Sequence, residues 1–205
     1  MDHIESLIKV MFSSAQGLYP NQVLAKYVDR PFNRISYGDA VALLQANGQA
    51  IEMGDDLGSN EEEAICQILE DLPTFVTHYP SDPRPKEGGV IKFFSMKRQN
   101  GTTLCCDLLL PHAGESVGGA VREGCAHTCK KQFEESHMYD HLLERGVDPA
   151  QFDWYFEVLQ QAKGQSSGCG IGFERVVQSI IASEEKHVSI KAAVELPRSP
   201  EFLMP

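Results

Sequence analysis

The chain is short of basic residues. Its 205 residues carry 18 Lys and Arg against 29 Asp and Glu, a formal net charge of -11. Such a balance argues against a surface dedicated to clamping a phosphate backbone, which needs a basic patch. Brief contact with a nucleic-acid end stays compatible with it. No run approaches the ~20 apolar residues of a membrane span. The start, Met1-Asp2-His3-Ile4-Glu5, has two early acids and no long apolar stretch, so no signal peptide is expected. The 6 cysteines are scattered. Without an export signal they are expected to be reduced thiols, and the protein cytoplasmic. There is no internal repeat, coiled-coil heptad, clear linker, nucleophile elbow, Walker loop or HExxH. A hydrophobic content of 42% and a charged content of 23% are ordinary for a globular chain, here read as one domain over residues 1–205.

Periodicity supplies the elements. Ile4, Leu7, Ile8 and Met11 predict a first helix. Residues 17–34, with Gly17, Pro20 and Pro31, read as turns. Asp39 is a plausible N-cap for a helix through Val41, Leu43 and Leu44, with Gly48 as its stop. Residues 52–63 hold Glu52, Asp55, Asp56, Glu61, Glu62 and Glu63 with no Lys or Arg. They read as a solvated loop and the start of a helix through Ile65, Ile68 and Leu69. Thr74–Tyr79, Ile91–Met96, Leu104–Leu110 and Ser116–Val121 read as strands. Helices are expected over Lys130–Arg145 and Pro149–Leu159. Strands bracketed by helices, without a β-α-β rhythm, predict an α+β fold with an antiparallel sheet.

Gly168-Cys169-Gly170-Ile171-Gly172 leads into Phe173, Val176, Val177, Ile180 and Ile181, which share one helix face. Glycines there let the chain lie close to a ligand. Arg175 sits in the first turn, where a cation opposes the helix dipole, so its charge is wanted for something else. The simpler reading is a Gly-rich turn before a core helix. Alternation puts Cys105, Asp107 and Leu109 on one strand face. An acid within so apolar a strand wants a cation or a metal. Glu115 and Arg122, separated by Gly118-Gly119, can line a polar pocket with it, or form ordinary ion pairs. Carboxylates at this spacing suit Mg²⁺ held weakly and mainly through a substrate phosphate. Cys125, Cys129, His137 and His141 fit zinc spacings loosely, and free thiols with surface histidines are the simpler reading.

Taken together, these segments resemble one family. Gly168-x-Gly-x-Gly-Phe-Glu-Arg175 resembles motif 3 of class II aminoacyl-tRNA synthetases. Asp107 followed by Gly114-Glu-x-x-Gly-Gly-x-x-Arg-Glu123 is similar to a segment of asparaginyl-tRNA synthetases. Leu196-Pro-Arg-Ser-Pro200 is similar to that family's terminal Phe-Pro-Arg-Thr-Pro. Phe32, Ser36-Tyr37-x-Asp39-Ala40, Val76, Tyr79-Pro80 and Lys92 fall in the family's order. The resemblance implies a class II antiparallel sheet flanked by helices.

It also implies roles. Arg175 would grip the terminal phosphate of ATP. Asp107 and Glu115 would lie near Mg²⁺ and the phosphates. Arg122 would read the amino-acid side chain, with Glu123 beside it. Arg198 would support the pocket rim. Where the family has a Tyr-Gly-Thr-Val-Pro-His type loop this chain reads Gln161-Ala-Lys-Gly-Gln-Ser166, with Ser166 in place of the histidine, and Ser166 and Ser167 are read as substrate-binding. Motifs 1 and 2 and the anticodon-binding barrel are not found, so the core is expected to be truncated.

Motif 1 supplies much of the family's dimer interface, and motif 2 its α-phosphate arginine. Three functions follow as expectations. The first is an aminoacyl transferase that takes pre-activated aminoacyl-tRNA by its acceptor end, without ATP. It would form an amide or a (cyclo)dipeptide, and the exposed acids could hold a cationic substrate such as an arginyl group. The second keeps ATP and Mg²⁺ chemistry, alone or with a partner supplying the missing motifs. The third is a pseudoenzyme. The expected partners are an amino acid, the tRNA end and a second copy of the chain, with no membrane.

Overall fold

The computed structural model describes residues 1–82, 85–162, 164–185 and 188–197. A five-stranded sheet carries the fold, in the order β1 (Asn33–Ser36), β2 (Thr74–Thr77), β5 (Cys105–Leu110), β6 (Gly114–Val121), β7 (Ser167–Ile171). β1 runs parallel to β2, and every other neighbour is antiparallel. The sheet is therefore mixed at one edge. A two-stranded ribbon, β3 (Arg98–Gln99) with β4 (Thr102–Thr103), stands apart from it.

Helices cover both faces. On one face lie α1 (Asp2–Leu18), α2 (Gln22–Asp29) and α8 (Phe173–Ala182). They bury Ile8, Phe12, Leu24, Tyr27 and Val176 against Phe75, Leu108, Leu110 and Val117. On the other lie α3 (Tyr37–Ala46) and α4 (Ser59–Ile68), which pack Tyr37, Leu44 and Ile65 on Val76, Cys105, Leu109 and Ala120. Alternation along β5 thus feeds two cores. A third cluster gathers Phe94, Cys129, Phe133 and Phe156 under α5 (Ala126–Glu134), α6 (His137–Glu144) and α7 (Asp153–Gln161).

Several sequence expectations change. Residues 17–34 contain α2, because Asn21 accepts the Leu24 N–H as an N-cap and Leu24 and Tyr27 bury against α1. They also contain the start of β1, whose four-residue length gives little periodicity to read. Leu7 is 49% exposed, so it lies off the buried stripe of α1. The cap of α3 is Ser36, whose Oγ accepts the Asp39 N–H, and Asp39 sits inside the first turn. Gly48 does lie just beyond α3, at φ +83°. Ile91–Met96 forms no strand. Phe94 and Ser95 lie in a turn, and the segment's pairing is limited to an isolated bridge from Met96 to Arg122. Lys130–Arg145 divides into α5 and α6 at Ser136, which caps α6. The Gly-rich segment before Phe173 is a strand, held by β6 from Ser167 through Ile171.

The β5–β6 pairing contains one irregularity. Leu108 pairs with Val117, whereas Leu109 pairs with Glu115, so Ser116 is an extra residue on β6. This β-bulge shifts the residues beyond it by one position. Gly118 and Glu115 are an odd number apart, and a regular strand would turn them to opposite faces. The bulge returns both to the face that carries Asp107.

Candidate active site

Asp107 sits centrally on β5, opposite Val76 and Gly118, and is 6% exposed. Its burial is compensated by Lys92, whose Nζ donates to Oδ2 at 2.6 Å. The same ammonium lies 3.7 Å from the centre of the Tyr79 ring. Burial lowers the Lys92 pKa, but the Asp107 carboxylate outweighs it and the net shift is upward. Burial and then the Asp107 charge raise Tyr79 far above the usual phenol range, so it stays neutral. The sequence placed Lys92 in the family's order without a role. A lysine beside a buried strand acid was the available signal.

Glu115 meets Asp107 over the bare backbone of Gly118. A Cβ built at Gly118 would lie 3.0 Å from Glu115 Oε1 and 3.7 Å from Asp107 Oδ1. The glycine therefore makes room where two acids converge. Burial and the Asp107 charge raise the Glu115 pKa. From α4, Glu62 reaches the same corner and accepts the Glu115 N–H through Oε2 at 2.9 Å. Its pKa is pushed up to about 7, first by burial and then by the Glu115 charge, which outweigh the backbone hydrogen bond and Arg175. The acid run at 52–63 hides this residue. Seen as a solvated face it carries no signal, but Glu62 is only partly exposed and turned inward.

Arg175 comes from the first turn of α8. Its Nη1 donates to the Ala113 carbonyl and lies beside Gly114, whose φ is +68°. Arg175 thus joins Glu62 and Glu115 at one end of the site.

Arg122 lies at the other end, on the same face as Gly118 by alternation. Its Nη1 reaches Ser95 Oγ at 3.4 Å, a long contact, and its N–H donates to the Ser166 carbonyl at 2.8 Å. Glu123 uses Oε1 to accept the Cys125 N–H at 2.9 Å, ahead of α5. Ser166 is exposed and adjoins Arg122 through its backbone. Ser167 pairs with Val121 and lines a cavity of about 500 Å³ with Cys106 and Cys169, so alternation turns it to the other face. Arg198 lies outside the described residues.

Among the described residues no group of three or more His, Cys, Asp or Glu is placed to hold a metal ion. Asp107 and Glu115 offer hard oxygens to Mg²⁺, but Lys92 already occupies one Asp107 oxygen. Such an ion fits only with a phosphate completing its shell. Cys129 is buried among aromatics, and the His137 and His141 rings stack at 6.4 Å. No described helix is long and apolar enough to cross a membrane.

The chain matches a family model described as tRNA synthetases class II (D, K and N) over residues 1–199. It is 34% identical over 198 residues to an asparagine--tRNA ligase of Lactococcus lactis subsp. cremoris (strain MG1363), covering 89% of this chain and 38% of that protein. It is 33% identical over 184 residues to the asparagine--tRNA ligase of Pyrococcus horikoshii, covering 88% and 37%. A crystal structure of the Pyrococcus horikoshii asparaginyl-tRNA synthetase, complexed with asparaginyl-adenylate, superposes with a TM-score of 0.76 at 29% identity. It covers all of this chain and 45% of that one. The chain thus spans less than two fifths of the length of these curated relatives. With the family model matched along nearly its whole length and the sheet shared with solved members, the chain belongs to the class II tRNA synthetases of the D, K and N group.

Proposed function

We propose that this chain uses an asparaginyl-tRNA synthetase-like site to take an aminoacyl group, already activated as its tRNA ester, and transfer it to an amine without ATP. The observation that carries this reading is the unequal furnishing of the site. The Asp107–Lys92 pair, the glycine floor at Gly118 and Arg122 are in place along one face. Arg175, at the other end, stands among Glu62 and Glu115 and is engaged by the Ala113 carbonyl. Two acids beside a lone arginine disfavour a polyphosphate, which brings more like charge.

In the proposed reaction the amine nitrogen attacks the ester carbonyl carbon. A C–N bond forms and the ester C–O bond breaks. The proton leaves the amine for Glu115 and passes to the departing ribose oxygen. A carboxylate with a raised pKa is suited to such a relay. Asp107 orients the substrate's α-amino group, Arg122 the side chain, and Arg175 a phosphate of the acceptor end. Glu123 and Ser166 are assigned to the substrate rim. The product is an amide or a dipeptide, open or cyclic, and two copies of the chain are expected to associate.

Incubation with asparaginyl-tRNA and free amino acids, without ATP, tests this by mass spectrometry. A new amide product that Glu115→Gln abolishes supports it. Ester hydrolysis at the uncatalysed rate with no new product refutes it. The engagement of Arg175 by the Ala113 carbonyl supports a second reading, a catalytically reduced paralogue that works with a partner chain or not at all. Amino-acid-dependent pyrophosphate exchange, appearing only when a partner is added, marks that case.

A further inference from the structure

We infer that Ser95 and Tyr155 are positioning residues: in series they aim the Arg122 guanidinium, and so set how strictly the site selects a side chain ending in an oxygen acceptor. This deepens the function proposed above and rests on the role given there to Arg122.

Arg122 is half-buried, yet among the described residues its guanidinium is met by a hydroxyl, Ser95 Oγ, and not by a carboxylate. Glu123, next in the chain, spends Oε1 on the Cys125 N–H. A carboxylate would hold the arginine in a two-pronged pair, but it would also neutralise it. A hydroxyl engages one N–H and leaves the charge and the other donors to a ligand. The direction of Arg122 is then only as fixed as Ser95 itself.

Ser95 is fixed from three sides. It is buried, and its carbonyl accepts the Glu123 N–H at 2.8 Å, beside the Met96–Arg122 bridge. Gln132, buried on α5, donates from Nε2 to the Phe94 carbonyl at 2.6 Å and to the Met96 carbonyl at 3.2 Å. One amide thus ties the backbone on both sides of Ser95 to the helix. Tyr155, on α7, accepts a hydrogen bond from the Ser95 hydroxyl, and its ring stands edge-on to Phe94 with centres 6.2 Å apart. Burial raises the Tyr155 pKa, so the phenol stays neutral and brings no charge to Arg122.

The hydrogens therefore run one way. Arg122 Nη1 donates to Ser95 Oγ, and the Ser95 hydroxyl donates to Tyr155. With Tyr155 as acceptor, the hydroxyl hydrogen is turned away from the guanidinium and a lone pair is turned towards it. Without that acceptor the hydroxyl is free to rotate. The contact to Arg122 is 3.4 Å, long for a hydrogen bond. Its value lies in direction more than in strength. Water can replace a missing hydroxyl at a half-exposed arginine with little cost to the fold. A guanidinium displaced by about 1 Å, however, loses its alignment with a bound side chain.

Ser95→Ala and Tyr155→Phe each delete one oxygen and keep the packing. Both are expected to melt within a few degrees of the parent, and Tyr155→Phe carries the test should Ser95→Ala not fold. The first readout is NMR relaxation of the Arg122 Nε–H in the 22.7 kDa chain, with the signal assigned by its loss in Arg122→Leu. Its order parameter should fall from about 0.8 in the parent to below about 0.6 in each variant. The second readout is titration calorimetry with L-asparagine and with L-2-aminobutyrate, which lacks the side-chain amide. Each variant should bind L-asparagine about fivefold more weakly and L-2-aminobutyrate unchanged. A purely structural role would weaken both ligands alike.

An Arg122 that stays ordered in both variants overturns the inference. So does an unchanged preference for L-asparagine in both variants where Arg122→Leu loses it, and the role of Arg122 then stands. If parent and Arg122→Leu treat the two amino acids alike, the role given to Arg122 fails, and the order parameter alone decides the positioning.

Discussion

Glu62 gives the sharpest test of how the site is held together. It lies partly buried beside Glu115 and Arg175, with its pKa pushed up to about 7 from a usual 4.5. Below about pH 4.5 both folded and unfolded chains hold this proton. Between about 4.5 and 7 the unfolded chain releases it while the folded chain keeps it, so stability falls as pH rises. Above about 7 the loss is complete. The shift corresponds to a ceiling of about 3 kcal/mol. Glu62 is only partly buried, and solvent screening reduces this to about 1–2 kcal/mol.

Glu62→Gln removes the ionisation and retains an oxygen for the Glu115 N–H. Urea denaturation should therefore find the variant and the parent within about 0.5 kcal/mol of each other at pH 4.5. At pH 8 the variant should be more stable by about 1–2 kcal/mol. A difference that does not change with pH, or a less stable variant at pH 8, refutes the reasoning. It would mean that ionised Glu62 is the form the fold needs, held by Arg175.

Asp107→Asn should destabilise the fold by about 3 kcal/mol in urea, because it leaves Lys92 charged, buried and unpaired. The double variant Asp107→Leu with Lys92→Met should recover much of that loss, and failure to do so removes the pair from the core's energetics. Gly118→Ala should keep its melting temperature within a few degrees but abolish any thermal shift by L-asparagine. Its Cβ would stand 3.0 Å from Glu115 Oε1, so an undiminished shift would place the ligand elsewhere. Gly114→Ala should cost about 2 kcal/mol, since φ is +68° and its Cβ would lie 2.5 Å from Glu62 Oε2. A neutral result would show that the turn moves freely. The Cys125 thiol is exposed and lowered in pKa by hydrogen bonds from Thr128. Iodoacetamide at neutral pH should label it first and the buried Cys66 last, read by peptide mass spectrometry.

The parts of the fold that were legible from sequence share a physical cause. β5, β6 and α8 are apolar along one period and bounded by Gly or Pro, so tertiary packing agrees with local pattern. Ile91–Met96 has the composition of a strand, but Phe94 is drawn into the aromatic cluster with Phe133 and Phe156, and only Met96 forms a bridge. α2 was hidden by flanking prolines, although Asn21 and the Leu24–Tyr27 spacing mark it. In the site, Asp107 and Arg122 follow from alternation on their strands. Glu115 does not, because a strict period of two turns it away from Asp107. Glu62 needed the third dimension, since its acidic neighbours are solvated and it alone reaches β6. Which side of the sheet a serine at 166 or 167 serves depends on one residue of register, and only Ser166 ends beside Arg122.

The extra residue on β6 has a mechanical consequence. The Ser116 carbonyl accepts the Gly172 N–H, at the point where β7 gives way to α8. One residue is therefore hinge pin to two parts: the β5–β6 hairpin that carries Glu115, and the helix start that carries Arg175. If the hairpin tips, the arginine and the acid should travel together rather than separate. Anything that presses on the tip at Pro111–Ala113, where Ser179 donates to the Pro111 carbonyl, should be felt by both ends of that linkage at once.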